Sequence, residues 1–264
     1  GHDNVSNAEL IKASTVYVDN TVPQSSLAIG QPKYEASGGI YISTWTLFTL
    51  SSVDPVVNGV AAGVKDIRRR FGAEAIGVYS NGFIAPSSDG NKVMEYYGTD
   101  NIGNTEAAKS QAVKLDATAP KTALNITGGI QYAGPAAGIF YASLASRFGL
   151  TAADPVTGGV ASGVKLTVWR DNNGAVVNTI SGLAFSEGHH ELAYWSMDNV
   201  ENVEVVRSTT ILVDNTAPVS EHHIGSPYYA AGGVNYITPA TPVSFTAADP
   251  VVGTVASGVS RIEV

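Results

Sequence analysis

Short stretches in which apolar and polar residues alternate recur along the chain, and no sustained helical periodicity interrupts them. In Leu47-Phe-Thr-Leu-Ser-Ser-Val53 the alternating Phe48 and Leu50 fall on one face of a strand. The same two positions return as Phe148 and Leu150, and again as Val243 and Phe245. Around this stretch the pattern predicts six further strands. Ser25 to Tyr34 precedes it, and Val64 to Arg70 follows the Gly-Val-Ala-Ala-Gly turn. Ala75 to Tyr79 and Phe83-Ile84 come next, then Val93 to Tyr97, then Glu106 to Leu115. Turn signals separate them: Gly72, Asp89-Gly90 and Asp100-Asn-Ile-Gly-Asn104, with Asp171-Asn-Asn-Gly174 as a clear hairpin signal in the second copy. Seven short strands at this spacing are the pattern of a sandwich of two antiparallel sheets.

Three motifs repeat in one order. Val16-Tyr-Val-Asp-Asn-Thr-Val-Pro23 returns as Val113-Lys-Leu-Asp-Ala-Thr-Ala-Pro120 and Ile211-Leu-Val-Asp-Asn-Thr-Ala-Pro218. Asp3 to Asn7 returns as Asp100 to Asn104 and Asp198 to Asn202. Asp54-Pro, Asp154-Pro and Asp249-Pro each lead into a Val-Ala-Ala/Ser-Gly-Val turn. Asp19 and Asp116 are 97 positions apart, and Asp116 and Asp214 are 98 apart. That period suits a complete sandwich domain and is too long for a solenoid repeat. The reading is therefore all-β: tandem seven-stranded immunoglobulin-like β-sandwiches. Residues 1–18 form the C-terminal strand of a preceding repeat, 19–115 and 116–213 two whole repeats, and 214–264 the N-terminal half of a third. The two ends read as an excerpt of a longer polypeptide or as an arbitrary boundary.

Composition narrows the functions. The formal net charge is −8, with only 14% charged residues, which argues against nucleic acid as a partner. There is no cysteine, so neither disulfides nor thiolate metal sites are available. No apolar run reaches the ~20 residues of a membrane helix, so membrane insertion is not expected. His2, His189, His190, His222 and His223 do not recur from repeat to repeat, and no nucleophile constellation accompanies them, so no enzyme is expected. His189 and His190 should face solvent and sheet edge. Arg68, Arg69 and Arg70 read as a solvated sheet face, with a site for sulfated or phosphorylated glycans as the alternative.

The run Glu187-Gly-His-His-Glu-Leu-Ala-Tyr-Trp-Ser-Met-Asp-Asn-Val-Glu-Asn-Val-Glu204, followed by Val213-Asp-Asn-Thr-Ala-Pro218, resembles bacterial Ig-like repeats of large surface proteins and adhesins. Leptospiral outer-membrane-protein repeats are of the same type. The resemblance covers nearly the whole chain and departs at Ser6 and Glu201, where Gly is usual in the turn. It implies an extracellular or cell-surface tandem array and names no ligand.

The recurring aspartates are the strongest candidate site. In a seven-stranded sandwich the loops that begin at Asp54 and Asp100 lie at the same end as the entry segment carrying Asp19. Asp116, Asp154 and Asp198 form a second set; Asp214 and Asp249 form a third that lacks its last member. Three converging carboxylates either stay apart or hold a cation, and calcium favours such oxygen ligands, with Asn101 and Asn199 as further donors. The other reading is that these aspartates only cap turns. Glu9, Glu106 and Glu204 recur as well, as a further ligand or as solvated residues. The leading function is a structural stalk whose partners are neighbouring repeats of the same or another copy of the chain. A glycan- or protein-binding adhesin module and an accessory segment of a secreted polysaccharide-degrading enzyme are the alternatives.

Overall fold

The computed structural model describes residues 1–86, 88–134 and 136–264. They form strands, turns and loops, and no helix occurs among them. Two compact units emerge: Gly1–Ala117 with Val156–Ser162, and Thr118–Pro155 with Gly163–Val264.

The first unit holds β1 (Gln24–Ile29), β2 (Lys33–Ala36), β3 (Gly39–Ile42), β4 (Leu47–Val53), β5 (Val64–Phe71), β6 (Gly77–Val78), β7 (Phe83–Ile84), β8 (Gly90–Asp100) and β9 (Lys109–Leu115). One sheet runs β1-β4-β7 and the other β2-β3-β9-β8-β5-β6. β4 alternates as its sequence dictates: Leu47 and Thr49 face out, Phe48 and Leu50 face in. Opposite them in the antiparallel ladder stand Ile29 and Leu27 of β1. The core joins both sheets: Phe48 and Leu50 meet Ile42, Phe71, Met94, Val113 and Leu115. Phe48 lies edge-on to Phe71 and stacked on Phe83, with both ring centroids 5.3 Å away. This is an immunoglobulin-like sandwich.

The second unit repeats the plan with β10 (Lys121–Thr127), β11 (Gln131–Ala133), β12 (Ile139–Ala142), β13 (Arg147–Ala153), β14 (Val164–Asp171), β15 (Gly188–Asp198) and β16 (Arg207–Val213). Its sheets are β10-β13 and β11-β12-β16-β15-β14. Phe148 and Leu150 are buried with Leu192, Ile211 and Val213. In both units one strand of the large sheet runs parallel to its neighbour: β3 beside β9, and β12 beside β16.

The first repeat forms nine strands and the second seven, and they are not quite the seven expected. The segment from Ser25 to Tyr34 is not one strand. β1 ends at Ile29, and the chain then crosses to the other sheet as the β2–β3 hairpin, whose turn uses Gly39 at φ +121°. The expected strand at 75–79 shrinks to the two-residue β6, β7 coincides with the expected Phe83-Ile84, and in the second unit only isolated bridges, Trp169 to Val177 and Phe148 to Leu183, stand there. β8 is longer than expected at both ends, and β9 starts at Lys109 rather than Glu106.

Residues 3–7 do make the expected turn, yet no strand follows between Glu9 and Pro23. A strand needs a ladder partner, and β9 already bonds β8 on one side and β3 on the other. Leu10, Ile11, Val16, Tyr17 and Val18 are therefore exposed. At the other end β17 (Val219–Ile224) pairs with β20 (Val243–Ala248), and β18 (Tyr228–Ala231) with β19 (Val234–Ile237). Val243 and Phe245 occupy the core positions of β4 but are exposed, because no long sheet covers them among the described residues.

This contrast sets a test. Phe48→Ala should cost the first unit about 3–5 kcal/mol, the usual range for a buried aromatic. Phe245→Ala, on a side chain 41% exposed, should cost under about 1 kcal/mol. Denaturant unfolding of both variants against the parent chain measures the difference.

Candidate cation site

In the first unit three sequence-distant aspartates meet. One carboxylate oxygen from each of Asp19, Asp54 and Asp100 lies within 4.8 Å of the other two, and among the described residues no Lys or Arg forms an ion pair with any of the three. Each comes from a different segment: Asp19 from the entry to β1, Asp54 from the end of β4, and Asp100 from the end of β8.

Backbone N–H groups hold the carboxylates in place. Thr21 donates to Asp19 Oδ1 through its N–H at 2.9 Å and its hydroxyl at 2.6 Å, and Ala62 N–H donates to Asp19 Oδ2 at 2.6 Å. Gly63 N–H donates to Asp54 Oδ2 at 2.6 Å. Asp100 closes its own turn, accepting from Ile102 and Asn104 N–H on Oδ1 and from the Asn104 amide on Oδ2. The Thr21 hydroxyl and N–H and the Ala62 N–H hold the Asp19 carboxyl below the usual carboxylate range. The exception is Asp54 Oδ1, which is shut off from solvent and has no hydrogen-bond partner. A buried carboxylate oxygen without a donor is costly, and a cation among these oxygens would satisfy it.

Asn101 does something other than offer a carbonyl. Its amide nitrogen donates to the carbonyls of Ala62 and Gly63, strapping the β4–β5 loop to the turn after β8. Asn199 makes the matching bond to Gly163 O at 2.9 Å.

The other aspartates keep these local roles. In the second unit Asp154 Oδ2 accepts from Gly163 N–H, and Asp198 accepts from Val200 and Asn202. Asp116 falls in the first unit, where its Oδ2 accepts from Ser162 N–H at 2.7 Å. Asp214 accepts from Thr216 and Ser257 N–H, and Asp249 from Gly258 N–H. Asp249 Oδ1 is buried and unpartnered, like its counterpart on Asp54. At Asp214 burial raises the carboxyl pKa, but the hydrogen bonds from Ser257 and Thr216 outweigh it and the net displacement is downward. The Asp19–Asp54–Asp100 set is thus complete within one unit.

The turns that carry Asp3 and Asp198 explain the two departures from glycine. Ser6 and Glu201 have φ of 71° and 68°, the left-handed region that Gly103 occupies freely in the middle copy.

Two expectations are corrected. Glu106 and Glu204 are neither ligands nor solvated. Glu106 is buried and accepts from Gly98 N–H, Ser25 N–H and the Ser25 hydroxyl, with Lys109 Nζ at 2.9 Å. Glu204 takes the Thr122 N–H and hydroxyl and Arg207. Each carboxylate ties the first strand of its repeat to the stretch after the long strand. His190, expected at the surface, is buried against the Phe185 ring, with Nδ1 2.7 Å from Asp171 Oδ2 and Nε2 3.0 Å from Ser186 O. Phe185 lies in a loop without regular pattern, so the sequence carries no signal for this pocket. The three arginines do stand on a partly solvated sheet face, and each has an acid beside it: Arg68 with Asp66, Arg69 with Glu74 and over the Phe83 ring, Arg70 with Glu95. His222 and His223 are consecutive in β17 and so point to opposite faces, which rules out a shared ion on that strand.

No family model matches the chain, and no curated protein matches it. Among solved structures, fibronectin(III)-like modules of Clostridium thermocellum CbhA are similar over 72% of this chain and 95% of that chain, at 13% identity and a TM-score of 0.37.

The buried glutamate gives a pH test. Desolvation raises the Glu204 carboxyl pKa, but hydrogen bonds from Thr122 and the Arg207 guanidinium more than offset it, and the folded value lies below 4.5. A depressed carboxylate contributes stability above its unfolded pKa and loses it as pH falls through the folded one. The second unit should therefore hold its melting temperature from pH 7 to about 5 and lose it below about 4.5. Glu204→Ala should cost about 2–3 kcal/mol at pH 7, since it strands the Thr122 donors, and should flatten the acid limb. Thermal melts across pH on both proteins read this directly.

Proposed function

We propose that the chain is a spacer segment of an extracellular, cell-surface protein, in which tandem Ig-like units hold other parts of the polypeptide at a distance. One observation carries this reading. The aspartate of each Asp-x-Thr-x-Pro linker is fastened by its side chain to the N–H of a Val-Ala-x-Gly turn, at Ala62, Ser162 and Ser257. A linker built into the fold suits a spacer better than a flexible tether does, and the proline fixes one backbone angle within it. The resemblance to Ig-like repeats of bacterial surface proteins supports the same reading. The partners are then neighbouring repeats of this or another copy of the chain. Substituting the segment, in its parent protein, by unrelated Ig-like units of equal number should preserve that protein's function. Loss of function on such a swap would favour the adhesin or enzyme-accessory reading instead.

Calcium at Asp19, Asp54 and Asp100 is part of the proposal. The orphaned Asp54 Oδ1 and the convergence of three carboxylates with no Lys or Arg ion pair among the described residues support it. The ion would join the entry segment to the loops after β4 and β8. At 100 times its dissociation constant calcium should stabilise the first unit by about 2.7 kcal/mol. Thermal melts in millimolar calcium and in chelator check this, with Asp54→Asn as the variant that should lose the difference. Superimposable melts of the parent chain in the two conditions would leave these aspartates as turn residues.

A further inference from the structure

The outer face of the large sheet differs between the two units, and the difference has the form of a ligand site. In the first unit Tyr34, Tyr41, Lys114 and Asn91 stand side by side across β2, β3, β9 and β8 in ladder register. Their neighbours Val113 and Leu115 are buried, so this row faces away from the core. Next to the row the side chains become small: Gly38 and Gly39, then Ala112, then Val93. The result is a shallow trough of about 270 Å³ with Asn91 and Lys114 in its lining, and Tyr41 stands at its edge beside Lys114. Gly38 lets these two groups lie close to the backbone: a Cβ there would stand 2.8 Å from the Tyr41 hydroxyl and 3.1 Å from Lys114 Nζ.

The chemistry of this edge is specific. Lys114 Nζ lies 5.1 Å from the Tyr41 ring centroid and 3.4 Å from its hydroxyl. Among the described residues no carboxylate comes within ion-pair distance of Lys114. Lys33, Arg68, Arg69, Arg70 and Lys109 of the same unit, by contrast, each have one. Lys65 and Lys92 lack a carboxylate as well, and what sets Lys114 apart is that its half-buried ammonium lies against the half-buried Tyr41 ring.

The second unit keeps the tyrosines, Tyr132 facing Tyr141, with the same 6.0 Å between ring centroids. It also keeps a glycine, Gly138, in the place of Gly38, but the other positions change. Leu212 stands in the place of Lys114, His189 for Asn91, Glu191 for Val93, Thr210 for Ala112 and Ile139 for Gly39. The tyrosine pair alone is thus a cross-strand contact that steadies the edge hairpin, as such pairs do. The trough, the free amide and the unpaired ammonium belong to the first unit only.

We propose that this trough binds an acidic sugar of a polysaccharide, a pyranose bearing a carboxylate or a sulfate ester. The C–H face of the ring lies on Tyr41 and the small-residue floor. The acid group takes the Lys114 ammonium in a charge-assisted hydrogen bond, and the ring hydroxyls take the Asn91 amide. The site is shallow and open, so a single sugar binds weakly and a polymer is the natural ligand. This proposal does not rest on calcium at the aspartate set.

The test is titration calorimetry of the whole chain at low salt with oligogalacturonate, dextran sulfate and neutral dextran as probes. Oligogalacturonate or dextran sulfate should bind, and whichever binds names the acid group; neutral dextran should not. Lys114→Gln should weaken binding about tenfold or more, as loss of a charge-assisted contact does. Val93→Glu, which copies the second unit, should abolish it, and Lys121→Gln, outside the trough, should leave it unchanged. Thermal melts of each variant exclude unfolding as the cause. Absence of binding to both acidic polymers, equal binding of neutral dextran, or a Lys114→Gln variant that binds like the parent would overturn the proposal.

Discussion

A carboxylate accepting backbone N–H groups is the interaction on which the loops of both units depend. The sandwich sheets need only alternating apolar residues, but the turns between them are long, glycine-rich and poor in apolar side chains. What fixes them is a set of acids with little conformational freedom. Asp19, Asp54 and Asp100 each end a segment, and each reaches the N–H groups of a loop that has no ladder partner. Glu106 and Glu204 do the same from inside, where burial strengthens the bond and makes its loss expensive. The repeat is therefore recognised in sequence by its acids and glycines as much as by its core.

The same economy explains the distribution of charge. Few residues are charged, and most cations lie beside an acid on a neighbouring strand or turn. Arg70 with Glu95 and Arg69 with Glu74 link β5 to the strand and turn next to it. Exposed pairs of this kind add little to stability, but they leave the sheet face locally neutral. Lys65, Lys92 and Lys114 of the first unit stand outside that pattern, and the two units, alike in fold, present different chemistry to solvent.

Much of this was legible in the sequence. The period-of-two pattern at Phe48, Leu50, Phe148 and Leu150 identified core positions that the structure buries. The spacing of Asp19, Asp54 and Asp100, combined with the topology of a sandwich, placed three carboxylates together. The rest was hidden for physical reasons. The β2–β3 hairpin was missed because Gly38-Gly39 reads as a loop, and nothing local says that the chain changes sheets after Ile29. Burial of Glu106 and Glu204 depends on donors about 80 residues away, Ser25 and Thr122, which no local pattern reveals. Burial of His190 depends on Phe185 and Asp171, again from separate segments. At Phe245 the pattern was right and the environment was not, since a core position needs an opposing sheet to be a core.

The parallel pairing of β3 with β9 has a bearing on how such a chain is made. Tyr41 and Ile42 bond with Lys114 and Leu115, roughly 70 residues later. β3 is thus among the first strands to leave the ribosome, and its partner is the last of the repeat. Until β9 appears, the large sheet has a gap in its middle, with the edges of β3 and β8 both open and Ile42 and Met94 uncovered. Each repeat closes in a single late event rather than growing strand by strand. The interval of exposure is set by the speed of synthesis, about 4 to 15 seconds at ~5–20 residues per second. With a second repeat of like topology arriving behind, mispairing between β3-type and β9-type strands of different repeats is the characteristic hazard. The dissimilar outer rows of the two units, Lys114 against Leu212 and Val93 against Glu191, lower the symmetry that would make such an exchange easy.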